Sequence, residues 1–298
     1  MGLLLIILTG LSWGGVGIIL DRAARRGMDA CAFQMAGNIL GAGGAWLVLV
    51  RWPVLLAGSA VPRLMPLVWI MGVAGVLGTA GMFAMQRAMS RGFSAGVWTV
   101  GQSAMVVPFI FGMVFLAQPF HWTGVLGVVA TIVCLGLLAA VHGGMEEGGA
   151  GGRKGTGWFG LALLAFAFLG AQQTLCMVPS SWPGWTDAAQ LRVPIVAMAA
   201  GGVMAVVAGF RRRWPTRGEW FLAAGYGAVG LLGQVLLFAA MDRLRAEGRL
   251  AVAYPIAVGL CILVMAVRDA SANRSGRTPL ALAGILFGLT GVVLIACG

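Results

Sequence analysis

The sequence predicts an all-α integral membrane protein of ten transmembrane helices, arranged as two inverted five-helix repeats. Three observations carry this prediction. Sixty per cent of the residues are hydrophobic and ten per cent charged, with a mean hydropathy of +0.94, where a soluble domain carries about 25% charged residues. Apolar runs close to the ~20 residues that a spanning helix needs recur along the whole chain. Finally, F-A-M-Q-R-A-M-S-R-G from Phe83 returns as F-A-A-M-D-R-L-R-A-E-G from Phe238. Gly92 then matches Gly248, and Trp98 falls on Tyr254, at one offset of 156 residues.

Taken in order, the apolar spans lie at 2–20, 30–50, 65–85, 93–116, 120–141, 157–178, 187–210, 219–241, 248–267 and 279–297. The first has no basic segment before it and three arginines after it (Arg22, Arg25, Arg26), the reverse of a signal peptide. The second carries Gln34 and Asn38, which share a face at i, i+4; Gln34 and Gln190 also stand 156 residues apart. The fourth is polar-spotted (Trp98, Gln102, Ser103) and interrupted by Pro108, and the fifth has Gly124, Gly127 and Gly136 at helical spacing. Residues 142–156, H-G-G-M-E-E-G-G-A-G-G-R-K-G-T, read as a flexible linker at the midpoint, dividing repeat 1–141 from repeat 157–298. The sixth span holds Gln172 and Gln173, the seventh opens with Q-L-R-V-P, the eighth holds Gln234, and the ninth begins with Tyr254 and Pro255. Pro108, Pro194 and Pro255 each remove a backbone donor and favour a kink.

The net charge of +11 does not point to nucleic acid, because the basic residues sit between apolar spans and set topology. Fourteen of the 20 Lys and Arg residues fall in odd-numbered loops and six in even-numbered loops or helix edges. The positive-inside rule then places both termini outside a bacterial-type inner, or plasma, membrane. The five cysteines lie in or beside apolar runs with no ligand spacing, and read as small packing residues. Trp52, Trp122, Trp158, Trp182, Trp185, Trp214 and Trp220 lie near span ends and read as an interfacial belt.

All nine acids lie in loops or within about a turn of a span end. No H-E-x-x-H, Ser/Lys or paired-Asp arrangement occurs, so no catalytic, metal or cofactor site is expected. The polar residues placed within the spans are neutral instead: Ser12, Asn38, Gln102, Ser103, Gln172, Gln173 and Gln234. Amides donate and accept at once, which suits a hydroxyl-rich neutral ligand. Trp13, Trp98 and Tyr254 offer aromatic faces for the apolar side of a ring. These readings make Gln102, Trp98, Gln172, Gln173, Gln234, Tyr254, Trp13 and Asn38 the candidate substrate-binding set. Arg192 has two readings: a side chain that snorkels to the interface, or a gating group partnered by Asp187.

The ten spans, the five-plus-five duplication, the P-x-x-x-G at Pro108–Gly112 and the glycine spacing of span five resemble the drug/metabolite transporter superfamily. Thr9–Gly15 (T-G-L-S-W-G-G), Phe238–Arg243 (F-A-A-M-D-R) and the charged turn Arg268–Arg277 resemble its branch of L-rhamnose–proton symporters and related sugar porters. Gln118-Pro119 stands where more general members often carry a Glu after span four. The resemblance implies a secondary transporter working by alternating access, with a small-molecule substrate, a sugar favoured, and proton coupling. It also implies a monomer or homodimer in the bilayer. Two other readings stay open on the same residues: an exporter of amino acids or other metabolites, and a non-transporting scaffold.

Overall fold

A computed structural model describes residues 2–50, 52, 61–91, 94–115, 122–147, 157–182, 190–246, 250, 253–271 and 279–297. Among these the chain is helical, with no strand. The helices are α1 (Gly2–Arg25), α2 (Ala30–Val48), α3 (Val61–Met89), α4 (Ser94–Gln102), α5 (Val106–Phe115), α6 (Trp122–Glu147), α7 (Trp158–Ser181), α8 (Arg192–Phe210), α9 (Arg217–Ala246), α10 (Ala253–Ser271) and α11 (Pro279–Cys297). Among the described residues six helices are long and apolar enough to cross a bilayer. Large apolar side chains stay on the outside, among them Phe115 at 71%, Phe210 at 86% and Phe221 at 86% exposure. Contiguous apolar surface of this kind is a liability in water and the required surface in lipid. The protein is a multi-pass α-helical membrane protein.

α4 and α5 are one span broken by a single 3₁₀ turn, Ser103–Met105. Pro108 explains the break. It has no N–H to give the Ala104 carbonyl one turn earlier, and its ring crowds that carbonyl, so the backbone tightens upstream. Pro194 behaves differently from the kink expected of it. It is the third residue of α8, where the N–H would have had no intrahelical acceptor to lose; the residues just before α10, on which the effect of Pro255 turns, lie outside the described residues. Residues 142–147 of the expected linker continue α6 to Glu147, and 148–156 lie outside the described residues. Trp158, expected in the interfacial belt, is 1% exposed and packs edge-on against Phe159.

Packing joins the early part of the chain to the late part. α1 lies on α9 and α10, α2 on α8 and α9, α3 on α7 and α8, α4 on α7, and α6 on α11. Several of these seams are backbone against backbone. A Cβ added to Gly227 would fall 2.5 Å from the Gly37 carbonyl oxygen, so α9 meets α2 only through hydrogen atoms. Gly75 of α3 stands equally hard against the Val196 carbonyl of α8, and Gly291 of α11 against Gly127 and Thr131 of α6. Small residues at crossings are how helices associate in lipid, where dispersion replaces the hydrophobic drive.

The start of α2 is tied by polar groups. Asp29 caps α2, accepting from Ala32 N at 3.0 Å, and pairs with Arg211 at 3.2 Å. Its own N–H donates to Glu219 Oε1 at 3.0 Å, which fastens the start of α2 to the start of α9. Asp29→Ala is expected to cost about 1 kcal/mol, mostly the lost cap, read as a lowered midpoint of thermal unfolding in detergent.

Candidate functional site

A cavity of about 150 Å³ lies between α1, α2, α3, α4, α7, α8 and α9. Trp13 and Val16 face it from α1, Asn38 from α2, Thr79 from α3, Trp98 and Gln102 from α4, and Gln172 and Gln173 from α7. Tyr226 and Gln234 face it from α9, and Val193, Val196, Ala197 and Ala200 give it an aliphatic side from α8. Gly37, Gly41, Gly75, Gly78, Gly227 and Gly230 fill the gaps between them. The void exists because glycines bring the backbones together at the crossings while larger amides and aromatics hold them apart around it. Among the described residues, no Asp, Glu, Lys, Arg or His lines it.

Trp13, Asn38, Trp98, Gln102, Gln172, Gln173 and Gln234, all chosen from the sequence, thus face one space. Tyr254 does not line it. The ring is 2% exposed and stacks on Trp13 at a centroid separation of 6.1 Å, behind the wall rather than in it. Ser12 and Ser103 are occupied elsewhere: Ser12 Oγ donates to the Val229 carbonyl at 2.7 Å, stitching α1 to α9, and Ser103 Oγ to Thr99 O at 2.8 Å. Gln190 sits in the turn that leads into α8.

Thr79, Gln86 and Tyr226, which sequence reasoning passed over, join Gln34 and Asn38 in a polar network. Asn38 Nδ2 donates to Gln34 O at 2.8 Å and to Thr79 Oγ1 at 3.3 Å. Tyr226 Oη donates to Gln34 Oε1 at 2.9 Å, and Gln34 Nε2 to Gln86 Oε1 at 3.4 Å. This network orients Asn38, Thr79 and Tyr226 on the cavity wall. A signal was available: Tyr226 is one of only two tyrosines in the chain, and Thr79 is a lone hydroxyl in an apolar span. The side-chain oxygens of Gln102, Gln173 and Gln234 have no hydrogen-bond partner among the described residues. A buried acceptor left so costs about 1–3 kcal/mol, a cost accepted where a ligand or water completes the set.

Arg192 departs from the snorkelling reading. It is 2% exposed and donates to Asp242 Oδ2 at 2.5 Å and to Ser180 Oγ at 3.1 Å, its guanidinium lying 4.4 Å from the Phe238 ring. Arg245 reaches the Ser180 carbonyl beside it. A guanidinium enclosed on three sides by a carboxylate, a hydroxyl and an aromatic face has no reason to seek the headgroups. Asp187 lies outside the described residues. Asp21, placed near a span end by the sequence, is fully buried: Arg25, Ser94 and Arg268 all donate to its carboxylate.

The fold and site together define a polytopic α-helical membrane protein with a cavity lined by uncharged side chains, amide, aromatic and aliphatic. No family model matches the chain, and no curated protein matches it. Twelve chains of solved structures do match. One, described in the words "Crystal structure of protein", is similar over 98% of this chain and 95% of its own, with a TM-score of 0.60 and 13% sequence identity. At that identity the likeness shows the fold alone.

Proposed function

We propose that the chain is a secondary transporter of the drug/metabolite transporter type, built as ten spans in two inverted five-helix repeats. It carries a small neutral polar solute, a sugar favoured, by alternating access. The observation that carries this reading is the cavity, walled by amides and tryptophans from both ends of the sequence and by no charged side chain among the described residues. A sugar offers hydroxyls as donors and acceptors around its edge and C–H groups on its faces, which amides and indoles respectively satisfy.

The packing supports the repeat. With α4 and α5 counted as one span, advancing each span by five turns the α1–α9 seam into the α7–α3 seam. The same shift turns α2–α9 into α8–α3 and α1–α10 into α7–α4, and returns α2–α8 and α6–α11 to themselves. An odd number of spans per repeat inverts the halves, and transporters of that design hold substrate where the halves meet. Size narrows the ligand. A void of about 150 Å³ is below the ~300–1,000 Å³ of drug-sized pockets, which favours a metabolite of monosaccharide scale over a drug. The arginine distribution supports an inner-membrane location with both termini outside, and proton coupling comes from the superfamily resemblance.

Gln102→Ala tests the reading. A neutral hydrogen bond contributes about 0.5–1.5 kcal/mol, so its loss is expected to weaken uptake into proteoliposomes by about two- to tenfold, with membrane insertion intact. Unchanged uptake kinetics would remove Gln102 from the site. A thermal-shift screen of the purified protein against sugars, amino acids and nucleosides chooses the substrate to use.

A further inference from the structure

Besides the Asp29, Arg211 and Glu219 group that also joins the two halves, two ionic clusters stand at opposite ends of the helices around the cavity. Successive helices reverse direction, so the C-terminal ends of α1 and α10 share a face of the molecule with the N-terminal end of α4. The C-terminal ends of α7 and α9 share the other face with the N-terminal end of α8. On the first face, the buried Asp21 carboxylate accepts from Arg25 Nε at 2.8 Å, from Ser94 Oγ and from Arg268 Nη2. Arg25 Nη2 donates to Ser94 Oγ at 3.2 Å. On the second face, Arg192 joins Ser180 and Asp242.

The clusters differ in what they join. Arg192 ties α7, α8 and α9, all from the second half of the chain. Asp21 ties α1 and α4, from the first half, to α10, from the second. A contact that must part when two halves rock lies across their seam, and the Asp21 cluster does. It also lies next to the cavity: Asp21 is five residues, about 7.5 Å of helix rise, beyond Val16 of the cavity wall, and Ser94 is about 6 Å before Trp98. Arg25 is 40% exposed, so water reaches the rim of the cluster and can solvate the charges as they separate.

We propose that Asp21, with Arg268 and Ser94, is a latch that closes the passage between the cavity and this face, and that its release parts α4 from α10. The proposal rests on the transporter reading above. Behind the latch, Trp98 Nε1 of α4 donates to Cys261 Sγ of α10 at 3.3 Å, and Cys261 is fully buried. When α4 and α10 part, this thiol meets water first. It is therefore a native reporter.

The test is labelling of the full-length protein in nanodiscs with a membrane-impermeant maleimide, read site by site by peptide mass spectrometry. Asp21→Asn keeps the shape and removes the charge, and is expected to raise Cys261 labelling about tenfold by shifting the population toward the open form. Arg268→Met is expected to do the same. Arg268→Lys, which keeps the charge, is expected to stay near the unchanged protein. Cys134 is the control, since it lies in the α6–α11 seam against Gly288. No rise at Cys261, or an equal rise at Cys134, would overturn the latch. The readout is exposure rather than uptake, so failure to find a transported solute would strike the transporter reading and leave the labelling result standing.

Discussion

Gly227→Ala is expected to disable the cavity outright. Its new Cβ would lie 2.5 Å from the Gly37 carbonyl oxygen and 3.2 Å from the Gly41 amide nitrogen, all of them backbone atoms that no rotamer change can move aside. α9 must therefore retreat from α2, and Tyr226, the residue before it, moves off Gln34. Overpacking of this kind costs about 1–3 kcal/mol or more, which lowers the unfolding midpoint of a chain of this size by about 2 °C for each kcal/mol. Ligand stabilisation in the thermal-shift assay should disappear with it. Gly225→Ala, two residues earlier in the same helix, meets only Ile19 Cδ1 at 3.7 Å, an ordinary contact, and should behave as the unchanged protein. If the two variants behaved alike, the close crossing would not be what shapes the void.

Asp242→Ala is expected to destabilise the protein more than Arg192→Met, although the two residues are partners. Arg192 is 2% exposed and Asp242 41%. Removing the carboxylate deprives an enclosed guanidinium of its countercharge, at about 3 kcal/mol, the lower end for a broken buried pair because the carboxylate side is wet. Removing the guanidinium instead leaves Asp242 to water, and Met keeps most of the packing on Phe238. Thermal unfolding of both single variants and the double variant closes a thermodynamic cycle. The double variant should recover much of what Asp242→Ala loses. The opposite order of stability would mean that Phe238 and Ser180, rather than the ion pair, secure Arg192.

What could be read from the sequence follows from how local each signal is. Span limits are local. The expected 279–297 coincides with α11, and 157–178 falls within three residues of α7 at either end. The amide set was also accessible, because a Gln in mid-span has few ways to be satisfied other than a partner helix or a polar space. Burial near span ends was not. Asp21 and Arg192 occupy positions where an exposed charge is the ordinary outcome. What encloses them are Arg268 and Ser94 in one case and Asp242 in the other, between 50 and 247 residues away. Tyr226 was missed for the same reason, since its meaning depends on Gln34, 192 residues earlier. Pro194 differs for a simpler reason: a proline interrupts a helix only if the helix has already begun.

The lengths of α3 and α9 have a consequence for how the molecule sits in its membrane. At 29 and 30 residues they rise about 43–45 Å, against a hydrocarbon layer of about 30 Å, while α2 and α8 at 19 residues match that layer standing upright. The long pair must lean steeply or carry their ends well into the headgroups. Since α3 bears Thr79 and α9 bears Tyr226 and Gln234, any slant of these two helices carries wall residues of the cavity with it.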